Sequence, residues 1–263
     1  MKYVRQPAVA GMFYPADPQE LAALVDQLLD DAPEIDEATM PTAVVAPHAG
    51  YAYSGPTAAA VYRRLRTWAP DIKRVVVVGP AHRVPVHHLA LSSDDAFATP
   101  LGEVAIDLDV NRTLLANGAM IDDRAHGHEH SIEVHLPFLQ RVLGDGWSLV
   151  PMIAGSGSAT VIADALTDLW GADGTLVVIS SDLSHYHDLH TARRLDRDTA
   201  AAIVSAAWEQ LGSDDACGAV PLRGALELAR RRGEQVTMVD LRTSADAAGP
   251  PDRVVGYGSF VVR

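Results

Sequence analysis

The sequence predicts a single layered α/β domain, on three observations. Short, almost wholly apolar runs rich in β-branched residues recur at Ala43–Ala46, 75–78, 149–153 and 176–179, and such runs are strands covered on both faces. Helical patterns lie between or after them, the alternation that builds a sheet with helices packed against it. No linker-like break or internal repeat divides the 263 residues, so positions 1–263 are read as one domain.

The elements follow in order. Asp17 caps a first helix, with Pro18 at its first position and Glu20 three residues after the cap; Leu21, Leu24, Val25, Leu28 and Leu29 make its apolar stripe. Strand 43–46 runs into Pro47 and His48, and a helix is expected over 56–65. Strand 75–78 runs into Gly79, Pro80, Ala81 and His82. A histidine-rich stretch, 126–135, leads into a helix over 132–143 whose stripe is Ile132, Leu136, Leu139 and Leu143. His135 falls about 60° off that stripe and is expected to be partly buried. Strand 149–153, a helix over 159–170 and strand 176–179 come next. The last empties into Ser180, Ser181 and Asp182, with His185 and His187 close behind. Helices over 192–208 and 221–231 and two strands, 236–241 and Val254–Val262, complete the pattern, with a flexible loop expected at 244–251.

Composition narrows the function classes. With 48% hydrophobic and 21% charged residues the core can be large, and a net charge of −13 leaves no basic stripe for nucleic acid or an anionic membrane. No segment approaches the roughly 20 apolar residues of a membrane span, and the first residues carry no apolar leader, so a cytoplasmic location is expected. Cys217 is the only cysteine, so it acts as a thiol, a thiolate or a ligand.

Three buried strands therefore end in histidines or an acid. In open α/β sheets the ligand site lies beyond the carboxyl ends of the strands, so His48, His82 and the Asp182/His185 pair are expected in one crevice. Taken singly, each histidine reads more simply as a hydrogen-bonded loop residue; the shared placement is what points to a metal or catalytic role. Cys217 precedes the helix that starts near Pro221, where the helix dipole favours a thiolate, although a small buried hydrophobe is the simpler reading of a lone cysteine. His130 and His135 are assigned to the substrate side of the crevice, oriented by Glu129 or Glu133. His126 and His128 are expected in an exposed loop, and His87, His88 and His190 in solvent.

The segments "RQPAVAGMFYPADPQEL", "APHAGYAYSGPTAA", "VVGPAH", "EHSIEVHLPFLQ", "SSDLSHYH", "ACGA" and "GYGSF", in this order, resemble the Memo family, whose bacterial and archaeal members are called AmmeMemoRadiSam system protein B. That family is similar to the class III extradiol ring-cleaving dioxygenases. The resemblance implies one three-layer α/β domain with a mixed central β-sheet flanked by helices. It places His48 and His82 where those enzymes bind iron through histidines and Cys217 where they use a glutamate. His185 matches their proton-handling histidine, with Asp182 three residues before it, and Tyr51 of "PHAGYAY" joins the substrate-binding group.

The same resemblance implies one Fe(II) or copper ion per chain, with zinc as the other candidate, and a dioxygenase-like redox enzyme acting on an unidentified small molecule or peptide. A thiolate in place of a carboxylate shifts preference toward softer metals, so ring cleavage itself is not implied. The family's name also implies a radical SAM protein and a protein A as partners. A non-enzymatic module binding a peptide or phospho-ligand, and a zinc-dependent hydrolase in which a metal-bound water attacks, are the alternatives.

Overall fold

A computed structural model describes residues 2–35, 39–157, 159–247 and 249–263. The first half comprises β1 (Val4–Arg5), α1 (Pro18–Asp31), β2 (Ala43–Ala46), α2 (Tyr51–Tyr62), β3 (Arg74–Pro80), β4 (Leu89–Leu91), β5 (Ala96–Thr99), β6 (Gly102–Ala105), α3 (Leu108–Ala116), β7 (Met120–Ile121) and α4 (Asp123–Gly127). The second comprises α5 (Leu136–Leu143), β8 (Ser148–Ala154), α6 (Ala159–Leu166), β9 (Thr175–Ser180), β10 (His185–His187), α7 (Leu189–Val204), α8 (Ala219–Arg232), β11 (Val236–Thr243) and β12 (Val254–Val262).

One mixed sheet organises the molecule, in the order β10-β12-β2-β9-β3-β8-β4-β7, with β11 along the other side of β12. Its centre, β2-β9-β3-β8, is parallel, while β12 against β2 and β4 against β8 are antiparallel. The central strands are apolar at nearly every position because each face has its own core. Val44, Val75, Val77, Leu149, Leu176 and Val178 pack with α1, α2 and α5 on one side. Val45, Val76, Val78, Val150, Val177 and Ile179 pack with α6, α7 and α8 on the other. This is the expected three-layer arrangement, with a small sheet β1-β5-β6 added. No helix among the described residues is long and apolar enough to cross a membrane.

Several boundaries differ from the sequence reading. The helix expected from Pro56 starts at Tyr51, directly behind His48, with Pro56 inside it; a proline removes one backbone bond and the neighbouring turns hold the rest. The helix expected from Ile132 is α-helical only from Leu136, because Glu133–His135 forms a tighter 3₁₀ turn and Pro137 sits in the first α-turn. The helix expected to reach Trp170 ends at Leu166, and the one expected to reach Trp208 ends at Val204, just before Ala206 at φ +50. The flexible loop over 244–251 begins as an ordered turn, Ser244–Asp246, held by a reciprocal cap between Thr243 and Asp246; Ala248 lies outside the described residues. Strands β4 to β7, only two to four residues each, carried no periodicity long enough to read.

Candidate metal centre

Strand order explains how distant histidines meet. β2, β9 and β3 are neighbours and parallel, so their carboxyl ends open on the same edge of the sheet. His48 follows β2, His82 follows β3, Asp182 follows β9, and Cys217 lies immediately ahead of α8. With His130 and His185 they line one crevice of roughly 800 Å³.

Hydrogen bonds fix how His48 and His82 present themselves. Ser180 Oγ donates to the Ser131 carbonyl at 2.5 Å, so toward His48 Nδ1, 2.6 Å away, the same oxygen accepts. Nδ1 therefore carries the proton, and Nε2 turns a lone pair toward the crevice. His82 Nδ1 donates to Glu129 Oε1 at 3.0 Å, which leaves its Nε2 as the free nitrogen. Burial, then the neighbouring His82, His130 and His135, hold His48 well below the usual imidazole range, so it is neutral, the form that ligates metals.

Glu129 is the hub of this arrangement. Its carboxylate accepts the His82 N–H at 2.5 Å, the His130 N–H at 2.9 Å and the Ser131 N–H at 3.0 Å, besides the His82 ring. Burial alone would push it up, but the close His130 ring and the ring and backbone donors of His82 outweigh burial and hold Glu129 far below the carboxylate range. It is an anion behind a histidine, the pairing that orients metal-bound imidazoles. His130 Nδ1 lies 3.1 Å from the same oxygen, yet its N–H does not point there, so the contact is an ion-pair distance and not a hydrogen bond.

Nitrogen atoms of His48, His82 and His130 all lie within 4.8 Å of one another, a group that could hold a metal. The three rings differ in orientation. His48 stands edge-on to His82 and His130, at interplanar angles of 70° and 85°. His82 and His130 stack at 28° with centroids 4.8 Å apart. Two imidazoles can ligate one metal at any angle between their planes, so the stack leaves both rings able to share an ion, but their hydrogen bonds differ: His130 Nδ1 has no hydrogen-bond partner among the described residues. Glu129 fixes His82 through a ring hydrogen bond, which favours His82.

Cys217 Sγ lies 3.3 Å from His48 Nε2 and accepts the Asp182 N–H at 3.3 Å. Burial and then the Asp182 carboxylate push the thiol up to about 12, so the thiolate expected from the end of α8 is not the metal-free state. Asp182 Oδ1 accepts the His48 N–H at 2.8 Å, its Oδ2 lies 4.0 Å from His48 Nε2, and burial raises its own pKa.

Two substrate-side assignments are corrected. Tyr51 is buried between Tyr14 and Phe138, and its hydroxyl donates to the Val134 carbonyl at 2.6 Å. His135 is buried against Tyr62, whose hydroxyl meets its Nδ1 at 2.8 Å. Neither lines the crevice, because both are packed into the core by these partners. His126, expected in an exposed loop, is also buried, with Nε2–H donating to the Ala90 carbonyl at 3.1 Å. Ser180 and Ser131 went unread as site residues; "SSD" beyond an apolar strand was the available signal. Glu133 turns away from the histidines toward Arg5 and Tyr14.

A Memo-like protein family model matches residues 5–261. The chain belongs to the Memo family. A MEMO1 family protein of Aquifex aeolicus is 37% identical over 97% of both chains, and one of Methanopyrus kandleri is 35% identical over 98% of this chain and 99% of its own. A third, from Thermoplasma volcanium, is 32% identical over 98% of each. The Memo-family match thus spans every residue lining the crevice, from Phe13 to Val255.

Proposed function

We propose that this protein is a metal-dependent redox enzyme in which His48, His82 and Cys217 hold one iron or copper ion and His185 and Asp182 serve the bound substrate as proton carriers. One observation carries the reading: both His48 and His82 have Nδ1 bound to a fixed acceptor, leaving Nε2 free on the crevice side, with the Cys217 sulfur 3.3 Å from one of them. Two imidazoles and a thiol are a donor set that fits such an ion. When bound, it would supply Lewis acidity and a one-electron couple. The chain's own residues do the rest. Ser180 and Glu129 hold the two rings in register, and the Asp182 carboxylate steadies the His48 backbone. His185, on the crevice wall at the start of β10, is placed to give or take a proton at a molecule in the cavity. His130, stacked on His82, faces the same space as a substrate contact.

Metal analysis of chain purified anaerobically without a metal-carrying tag tests this. About one iron or copper per chain is expected, lost in His48→Ala, His82→Ala and Cys217→Ala and kept in His130→Ala and His185→Ala. Loss in His130→Ala with retention in Cys217→Ala would replace the sulfur by a third nitrogen. Zinc as the sole tightly held ion would favour hydrolysis, and tight binding of a peptide by metal-free chain would favour a binding module.

A further inference from the structure

We infer that Arg5 is a positioning residue of the metal centre, acting through Glu129; the inference rests on the metal-site reading above. Arg5 lies in a two-residue strand far from the crevice in sequence, yet its guanidinium is buried. Its donors are divided among three points of one segment, α4, the loop after it and the 3₁₀ turn before α5. Nε donates to the His126 carbonyl at 3.1 Å, one terminal nitrogen to the Glu129 carbonyl at 2.6 Å, and the other to the Glu133 carboxylate.

Burying a guanidinium needs a counter-ion, and Glu133 alone supplies one. The two carbonyl bonds are additional, and they fall on the end of α4 and on Glu129 itself, just beyond it. Arg5 thus holds the Glu129 main chain from behind while the Glu129 side chain reaches forward to the His82 ring and to the N–H groups of His82, His130 and Ser131. A planar fork with several donors can grip three acceptors at fixed angles, which a lysine ammonium cannot.

The segment from Arg5 to Tyr14 continues as a strap across the site. Glu133 accepts the Ala8 and Val9 N–H groups at 2.7 and 3.0 Å and the Tyr14 hydroxyl. The Phe13 ring packs 4.8 Å from His130, and the Phe13 carbonyl accepts the Tyr51 N–H at 2.8 Å, where α2 begins just after His48. One short segment therefore touches the loops carrying His48, Glu129 and His130.

The test compares Arg5→Lys with Tyr14→Phe. Arg5→Lys keeps a charge for Glu133 but cannot hold both carbonyls; Tyr14→Phe removes a bond to Glu133 and touches neither carbonyl. In metal-free protein the readout is the proton NMR signal of His82 Nδ1–H, shifted and protected by its bond to Glu129. With Co(II) as probe, the readouts are dissociation constant and absorption spectrum. Arg5→Lys is expected to lose the protected signal, bind Co(II) about 10–100-fold more weakly and change the spectrum, while Tyr14→Phe lowers the melting temperature and leaves all three near wild type. A protected signal retained in Arg5→Lys would overturn the inference, as would equal changes in Tyr14→Phe. An Arg5→Lys chain that does not fold would overturn it too, by assigning Arg5 to the fold itself. Wild type that takes no Co(II) would sink the metal reading, and the NMR comparison would still decide whether Arg5 sets Glu129 against His82.

Discussion

A serine does for His48 what a carboxylate does for His82. Ser180 Oγ gives its only proton to Ser131 and so must accept from His48, which sets the imidazole tautomer without placing a charge in the core. Ser180→Ala leaves a buried N–H without an acceptor, a loss of about 1–3 kcal/mol, and frees the ring to turn. Metal affinity is expected to fall about 10–100-fold, measured by competition with a chromophoric chelator. An unchanged affinity would mean that packing alone orients the ring. His48 and His82 were legible in the sequence because each follows a strand, whereas Cys217 was singled out by the family resemblance. Ser180 was neither, because a hydroxyl beyond an apolar run is also an ordinary strand end. Spacing did place His135 toward the core, but neither it nor the resemblance that singled out Tyr51 shows which partners, Tyr62 for one and Val134 for the other, take up the polar group of a buried side chain.

At the scale of elements, the site depends on how closely β9 approaches the start of α8. A Cβ at Gly218 would stand 2.5 Å from the Ser180 carbonyl oxygen and 2.6 Å from Ser181 Cβ. Gly218→Ala therefore has to push α8 away from β9, and Cys217 moves with it. The expected cost is about 1–3 kcal/mol in denaturant unfolding, together with weaker metal binding. Weaker binding without loss of stability would show that only the loop had shifted. Gly79 has the same role on β3, where a Cβ would meet Ser131 Oγ at 2.5 Å. The long strands and α1 were readable from composition and capping, and Asp17 does accept the Gln19 and Glu20 N–H groups. The short strands between β3 and α5 were not, since pairing with distant partners and not local pattern creates them.

For the whole molecule, neutral buried histidines set a limit on acid tolerance. Burial, together with Arg5 for His126 and His130 for His135, lowers their pKa values to about 4 and about 3. Both lie below the ordinary value near 6.5, so below that pH the unfolded chain binds protons that the folded chain refuses. Stability is expected to fall as pH drops from about 6.5 toward 4, by about 1.4 kcal/mol per unit for each histidine. Urea titrations at fixed ionic strength would show this, and stability flat over that range would contradict it. The strand order has a further consequence, for biogenesis. The loop bearing Asp182 and His185 is tied down by β12, through Leu183 N–H to Gly256 O and Gly256 N–H to Ser184 O, both at 2.8 Å. During synthesis His48 and His82 emerge on the order of ten seconds before Cys217, and β12 follows later still. On the proposed reading, an ion arriving early would find two imidazoles before the thiol, and the loop carrying Asp182 and His185 would be fixed beside it only once the last strand of the sheet had formed.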